Sequence, residues 1–285
     1  MKRRSVVFAT VVILLNIIPL ATKGINYATT IENHGTIKCN SLSLGITLNT
    51  WNVPDPLFEE SCALAREIGP GLVRTVVRWD VAEPFKGVYD WEELDYKIGK
   101  IPSLSLAKDI LVLIGNSPPW ASNTSTETPE FWTYPPTDPQ DFKDFVTELV
   151  NRYKDEVKYW EIWNEPNLYE YWKGTEEQYS TLLRFAYEGI KSADPDAVVI
   201  SGGMSNADFD WTRRMYESGW KPYFDILGIH PYGEGSPLEE GSDSGYYPNI
   251  AKVLDVMREY GDGMKIVWIT EIGWNTDTVK LFVVS

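Results

Sequence analysis

Strand-like apolar runs alternate with amphipathic helical segments through most of this 285-residue chain. The predicted strands are Gly45–Asn49, Leu72–Trp79, Asp109–Ile114, Lys158–Glu165, Ala197–Ser201, Phe224–His230 and Lys265–Glu271. The predicted helices between them are Asp55–Ile68, Trp91–Ile101, Asp138–Tyr153, Thr175–Ala193, Trp211–Ser218 and Asn249–Tyr260. Seven strands alternating with six helices predict a sheet of parallel βα units.

A closed (β/α)8 TIM barrel explains this alternation better than an open, doubly wound sheet. A doubly wound sheet usually carries a glycine-rich phosphate-binding turn after its first strand. Leu48–Pro54 stands there and contains no glycine. In a barrel, the active site lies at the C-terminal ends of the strands, and the distinctive polar residues of this chain follow its strands. We therefore predict an α/β TIM-barrel domain over residues 43–285.

The end of the chain leaves too little room for a complete barrel. Fourteen residues follow Glu271, whereas a parallel crossover needs about a dozen or more before its next strand. Leu281–Val284 is apolar enough for a strand, but no helix fits before it. We predict that the last βα unit is missing, most simply through truncation or a frame change near Thr278. The first and seventh strands would then have open edges.

The N-terminus has the pattern of an export signal. The basic residues Lys2–Arg4 precede an apolar run over Val6–Ala21, which is typical of a secretory signal peptide. We predict a signal peptide or an uncleaved anchor over residues 1–24, followed by a polar leader over 25–42. The mature protein is expected to be extracellular or at the cell surface. It would touch a membrane only through an uncleaved N-terminal segment.

Composition removes several classes of function. The formal net charge of −15 and pI near 4.6 argue against nucleic acid as a partner. His34 and His230 are the only histidines, too few for a clustered histidine metal site. The chain has no Gly-x-Ser-x-Gly turn, phosphate loop or dinucleotide fingerprint. We predict no metal and no cofactor.

Two carboxylates stand at strand ends far apart in the sequence. Glu165 precedes Pro166, which ends its strand, and Glu271 ends the seventh strand. The fourth and seventh strands of a barrel lie on different sides of its mouth, so the two carboxylates would face each other. Glycoside hydrolysis requires such a pair, because one acid protonates the leaving oxygen while the other attacks or activates water. A lone strand-end glutamate is more often a surface or salt-bridged residue.

Neighbouring polar residues favour the catalytic interpretation. Asn164 is beside Glu165 and can form a hydrogen bond with a sugar hydroxyl. His230 and Tyr232 follow the sixth strand, between the two acids in chain order. Arg74 on the second strand supplies a positive charge that holds a carboxylate ionised.

These residues also carry a resemblance to a known group. Trp163–Asn167 together with Trp268–Gly273 resembles the retaining glycoside hydrolases of clan A, near families 5 and 39. Val73–Arg74 followed by Trp79–Trp91 resembles the second βα segment of that group, and Pro118–Trp120 resembles its segment after the third strand. The resemblance spans about residues 43–274.

The resemblance implies a role for each matched residue. Glu165 would be the acid/base and Glu271 the nucleophile. The remaining residues that it implies are Asn164 at the sugar 2-hydroxyl, Arg74 with His230 or Tyr232 around the nucleophile, and Trp120 and Trp163 along the cleft. Trp132, Tyr169, Tyr171 and Trp172 are further candidate sugar platforms, although packing explains each of them at least as well.

Together these observations predict a secreted retaining O-glycoside hydrolase that cleaves β-glycosidic bonds of oligo- or polysaccharides by double displacement. Two alternatives stay open. One is a catalytically impaired carbohydrate-binding protein on an incomplete hydrolase fold. The other is a transglycosylase that uses the same residues. The aromatic residue that this group usually places after its eighth strand has no counterpart here.

Overall fold

In this computed structural model the described residues are 10–18, 38–51, 53–104, 106–125, 127–232 and 246–273. For residues 10–18, 38–44 and 246–248 only the backbone is described. Leu281–Val284 and the basic start of the predicted signal lie outside these ranges. None of the helices within them has the length and apolar character needed to cross a membrane.

The described strands form one closed sheet in chain order. They are β1 (Thr10–Ile18), β2 (Lys38–Thr47), β3 (Leu72–Arg78), β4 (Asp109–Gly115), β5 (Tyr159–Asn164), β6 (Val198–Ser205), β7 (Ile226–His230) and β8 (Ile266–Ile269). Each strand from β2 to β8 pairs in parallel with the next. These seven parallel strands confirm the predicted TIM-barrel class.

The helices lie between successive parallel strands. They are α1 (Asp55–Ile68), α2 (Trp79–Ala82), α3 (Glu92–Ser103), α4 (Pro139–Tyr153), α5 (Glu176–Ala193), α6 (Phe209–Glu217) and α7 (Tyr246–Glu259). Their ends follow local signals: α1 ends at Gly69 with φ 64°, and Thr175 with Gln178 forms a capping box on α5. The single turn α2 was not predicted from the sequence.

The first and last parallel strands are not open edges, contrary to the prediction. β1 pairs antiparallel with β2, from Thr10 opposite Thr47 to Ile18 opposite Lys38, and meets β8 at Ile17 and Val267. This strand is part of the apolar run predicted as a signal segment, so its backbone supplies partners that the two edges would otherwise lack. No parallel strand follows β8 among the described residues, which end at Gly273. The signal or anchor over residues 1–24 stays a prediction.

Inside the barrel, a layer of apolar side chains is followed by a layer of polar side chains nearer the C-terminal ends of the strands. The apolar layer consists of Leu72, Leu111, Ile200, Ile226 and Trp268, with Tyr159 packed against it. Because side chains alternate along a strand, the residues two positions further on lie on the same inner face. Three of them are Arg74, Glu161 and Thr270, all 2% exposed or less. Buried charges need partners, and these three residues form the floor of the candidate site.

Candidate active site

Glu165 lies at the C-terminal rim of the barrel, immediately after β5. Its backbone N–H donates to the Gly203 carbonyl on β6 at 3.1 Å. Trp163 and Glu165 both have positive φ, 72° and 41°. This conformation is rare for residues other than glycine and costs on the order of 1–3 kcal/mol each. The end of β5 is therefore strained where the carboxyl group is placed.

His230, at the end of β7, is the direct partner of Glu165. Its Nδ1 lies 3.1 Å from Glu165 Oε1, and the imidazole is fully buried. The ring lies against the backbone of Gly203, where an added Cβ would be 2.1 Å from His230 Nε2. Only glycine at position 203 allows the imidazole to reach Glu165.

Glu271 follows β8 and is held by two donors. Arg74 Nη1 donates to Oε2 at 3.1 Å, and the Tyr232 hydroxyl donates to Oε1 at 2.5 Å. Burial raises the pKa of Glu271, but the charges of His230 and Arg74 and the bond from Tyr232 outweigh it, so its pKa is lowered. Glu271 is therefore an ionised carboxylate at neutral pH.

Glu161 is the functional candidate that sequence analysis missed. This fully buried carboxylate accepts from Arg74 Nε at 2.8 Å, from the Thr270 hydroxyl at 2.6 Å and from the Gly203 backbone N–H at 3.2 Å. Burial raises its pKa, but Arg74, His230 and Thr270 reverse the effect and lower the pKa to about 2. The available signal was a carboxylate inside an otherwise apolar strand, four residues before Glu165.

The hydrogen-bond directions fix the tautomer of His230. The Thr270 hydroxyl donates to Glu161, so it accepts from His230 Nε2 at 3.1 Å. Nε2 therefore carries a proton, and Nδ1 faces Glu165 Oε1 at 3.1 Å. Burial lowers the pKa of His230, but the bonds to Glu161 and Glu165 and the charge of Glu271 raise it to about 9.

The structure thus brings five of the predicted residues into one cluster: Glu165, Glu271, Arg74, His230 and Tyr232. Glu161 connects its two halves, because it binds Arg74 on the Glu271 side and reaches His230 through Thr270 on the Glu165 side. Glu271 is paired with a guanidinium and a phenol, whereas Glu165 is paired with an imidazole. Such a pair can supply one nucleophile and one proton donor.

The other predicted residues differ in their placement. Asn164 is half-buried at the end of β5, next to Glu165. Trp120 is half-buried at the rim, where its indole N–H donates to the Glu83 carbonyl at 2.9 Å. Trp163 is not a cleft residue, contrary to the prediction: it is 2% exposed and packs against Phe142 and Trp172. Its left-handed backbone interrupts the alternation of β5, so the ring joins the core.

The four candidate sugar platforms also differ in how deeply their side chains are buried. Trp172 is buried between Trp163 and Tyr179, whereas Trp132 is half-buried and Tyr169 is 70% exposed. Tyr171 is half-buried, and its carbonyl accepts from the Trp163 indole. Within the described part of the chain, no three or more acidic, histidine or cysteine side chains are grouped as metal ligands.

Comparison with known families identifies the chain. Residues 88–237, more than half of its length, match the family model described as glycosyl hydrolases family 39. This chain belongs to glycosyl hydrolase family 39. The matched segment of this family 39 chain contains Glu161, Glu165, His230 and Tyr232, whereas Arg74 and Glu271 lie outside it.

Individual relatives are longer than this family 39 chain. A beta-xylosidase of Caldicellulosiruptor saccharolyticus is 34% identical over 96 residues, 32% of this chain and 19% of the relative. Beta-galactosidase BbgII of Bifidobacterium bifidum is 23% identical over 242 residues, 76% of this chain and 31% of the relative. A solved family 39 glycoside hydrolase from Bacteroides cellulosilyticus WH2 superposes with a TM-score of 0.62 at 21% identity, covering 86% of this chain and 55% of that structure. The chain therefore spans about half the length of this solved structure and less than a third of the two curated relatives.

Proposed function

We propose that this chain carries the active site of an exported, retaining β-glycoside hydrolase, with Glu271 as the nucleophile and Glu165 as the acid/base. The observation that carries the proposal is the unequal environment of the two carboxyl groups. Glu271 accepts hydrogen bonds from Arg74 and Tyr232, while Glu165 is paired with His230, an imidazole that can pass a proton to and from it. Retaining glycosidases need this difference, because one carboxyl group attacks the sugar while the other protonates the leaving oxygen.

In the proposed first step, the Glu271 carboxylate attacks the anomeric carbon as Glu165 gives its proton to the departing oxygen. The products are a covalent glycosyl-enzyme and the free leaving group. In the second step, Glu165 removes a proton from water, which attacks the same carbon and releases Glu271. Asn164, beside Glu165 at the end of β5, is proposed to hold the sugar 2-hydroxyl. The partner of the site is an oligo- or polysaccharide.

Leaving-group dependence tests the two roles. Glu271→Ala is expected to abolish turnover of every substrate, since no covalent intermediate forms. Glu165→Ala is expected to slow cleavage of an alkyl or sugar leaving group by about 100-fold or more, and to spare glycosylation by dinitrophenyl glycosides, which need little protonation. Equal losses on both kinds of substrate for Glu165→Ala would remove it as the acid. Sugar binding by the unchanged chain without any turnover would favour the impaired, carbohydrate-binding alternative.

Stereochemistry gives an independent test. Retention requires the two carboxyl groups to lie about 5–5.5 Å apart, whereas inversion needs about 6.5–9.5 Å. Proton NMR of the first-formed sugar should therefore show the β-anomer. Appearance of the α-anomer would contradict the double-displacement mechanism. A transfer product formed when an acceptor alcohol is added would show that the same site also transglycosylates.

The sugar proposed first is xylose. Two of the curated relatives, from Caldicellulosiruptor saccharolyticus and Geobacillus stearothermophilus, are named beta-xylosidases, and a third, from Bifidobacterium bifidum, is named a beta-galactosidase. Nitrophenyl β-xyloside should therefore have a higher kcat/KM than nitrophenyl β-galactoside. The reverse order would assign the chain to galactosides without affecting the proposed mechanism.

Export is the remaining part of the proposal. The basic, then apolar, N-terminal segment supports it. Intact mass of the protein recovered outside the producing cell should show that residues up to about 24 have been removed. A mature chain that still contains residues 10–18 would contradict cleavage of a signal peptide. Such a chain would keep β1 in the barrel.

A further inference from the structure

A cavity lies beside the C-terminal ends of β2 and β3, and neither Glu165 nor Glu271 lines it. Its volume is about 420 Å³, within the range of small-molecule sites. Its walls come from the segment after β2, the end of β3 and the first turn of α3. The residues that matter to its chemistry are Trp51, Arg78, Asp55, Asp90 and Tyr96.

Trp51 presents an aromatic surface in this cavity. The indole is 38% exposed, although large aromatic side chains usually have most of their surface covered. The Arg78 guanidinium lies 4.1 Å from the ring centroid and is itself held by Asp80, whose Oδ1 accepts from Arg78 Nε at 2.8 Å. Arg78 thus fixes the indole and leaves part of it open to the cavity.

Hydrogen bonds with the barrel and with α3 hold the segment that carries Trp51 in place. Lys97, a fully buried residue of α3, donates from Nζ to the carbonyl oxygens of Thr50 at 2.6 Å and Val53 at 2.9 Å. The Thr50 hydroxyl donates to the Val76 carbonyl on β3 at 2.6 Å. A ligand that stacks on Trp51 therefore meets a surface that is already ordered, which reduces the entropy lost on binding.

The polar walls indicate a neutral, hydroxyl-rich ligand. Asp55 and Asp90 are exposed carboxylates that can accept hydrogen bonds from hydroxyl groups, and Glu92 and Glu93 add further negative charge. This charge disfavours an anionic ligand. A metal ion is also disfavoured, because the described residues contain no group of three or more side chains arranged as its ligands. An aromatic face beside hydroxyl acceptors suits a sugar ring.

We propose that this cavity is a sugar subsite, remote from the cleaved bond, in which Trp51 stacks against a neutral unit of an oligosaccharide. The proposal rests on the proposed function, and it adds a preference for long substrates. Arg78 is four residues beyond Arg74 on β3, about 13 Å along the strand, and Arg74 contacts Glu271. Trp51 packs on Arg78 and not on Arg74, so the sugar unit stacked on it is proposed to be a neighbour of the unit that Glu271 attacks.

The test compares substrates of different length. For the unchanged chain, kcat/KM should rise from xylobiose to xylohexaose, because the two substrates have the same kind of leaving group and differ in length. Trp51→Ala should lower the ratio of kcat/KM for xylohexaose to that for nitrophenyl β-xyloside by about tenfold, the size of a lost stacking contact. Trp51→Phe, which keeps an aromatic face, should restore most of the ratio. Phe85→Ala is the matched control, because Phe85 is an aromatic residue of the same rim, 69% exposed, outside the cavity walls.

Each outcome decides one of the two proposals. Equal effects of Trp51→Ala on long and short substrates, or an equal drop in the ratio for Phe85→Ala, would overturn the subsite and leave the hydrolase standing. If the unchanged chain cleaves no glycoside, the proposed function fails, and titration calorimetry with xylohexaose then decides the subsite. Binding that weakens about tenfold in Trp51→Ala and recovers in Trp51→Phe supports it. Absence of binding by the unchanged chain overturns it.

Discussion

Arg74 Nε donates a 2.8 Å hydrogen bond to Glu161 Oε2, and both side chains are almost completely buried inside the barrel. The same guanidinium reaches Glu271 through Nη1 at 3.1 Å. One cation is therefore held between a carboxylate that never meets substrate and the carboxylate proposed to attack it. Because the other oxygen of Glu161 binds Thr270, and Thr270 binds His230, the environment of Glu165 depends on Glu161 as well.

Replacing Glu161 should disturb both halves of the site. Glu161→Gln keeps the shape but leaves Arg74 with less counter-charge, and breaking a buried pair costs about 3–5 kcal/mol. Displacement of the groups around the carboxyl pair should lower kcat by about 100-fold. Glu161 also raises the pKa of His230, so the basic limb of the pH–activity profile should move to lower pH. Urea unfolding and the pH dependence of kcat/KM measure these effects.

Glu188→Gln provides the matched control for that substitution. Glu188 is also paired, with Lys143 at 2.8 Å, but it lies at the surface, where such pairs contribute little. The Glu188→Gln substitution should leave the free energy of unfolding, kcat and the pH profile of activity nearly unchanged. A Glu161→Gln profile with both limbs unmoved would show that Glu161 supports the fold without positioning the site.

The stability of the protein should fall as the pH rises past neutrality. The pKa of His230 is raised from 6.5 to about 9, so the folded chain keeps a proton that the unfolded chain has lost. The stabilisation is complete below about pH 6.5 and disappears as the pH approaches 9, with a slope of up to about 1.4 kcal/mol per pH unit. Urea unfolding between pH 6 and 9 should show this slope in the unchanged chain and a smaller one in His230→Gln. Equal slopes would exclude His230 as the source.

Local chemistry made much of this fold predictable. Helix α1 has the same boundaries in the sequence analysis and in the structure, because Asp55-Pro56 begins it and Gly69-Pro70 ends it. Glu165 and Glu271 were predicted at strand ends because each follows an apolar run that a proline or a polar residue terminates. Such signals act within a few residues, so a single sequence contains them.

What was missed depends on residues far apart in the chain. Glu161 was overlooked because its partners Arg74 and Thr270 are 87 and 109 residues away, and only the barrel's register brings them together. The pairing of β1 with β2 and β8 is equally non-local. Trp163 was expected in the cleft because of the family resemblance, and its positive φ was not encoded in any local pattern.

Gly203 should not tolerate a methyl group. An added Cβ would lie 2.1 Å from His230 Nε2 and 2.4 Å from Cδ2, so Gly203→Ala must displace the imidazole from Glu165. Overpacking of this kind costs about 1–3 kcal/mol, and kcat should fall by at least tenfold. Gly99→Ala, in α3 with nothing within 4 Å of the added carbon, should stabilise the chain by up to about 1 kcal/mol. Wild-type kinetics for Gly203→Ala would contradict the packing of His230 against β6.

Lys97 should be far more important than its neighbour Lys100 on the same helix. The Lys97 side chain is fully buried, and its ammonium group satisfies the carbonyl oxygens of Thr50 and Val53. Lys97→Met would leave both oxygens without this donor, at a cost of about 1–3 kcal/mol for each group that stays buried and unpaired. Lys100 forms a partly exposed pair with Glu59, so Lys100→Met should change stability little.

Because the Thr50–Val53 segment carries Trp51, Lys97→Met should also weaken discrimination in favour of long substrates, whereas Lys100→Met should not. Equal midpoints of urea unfolding for the two variants would show that Lys97 does not hold this segment.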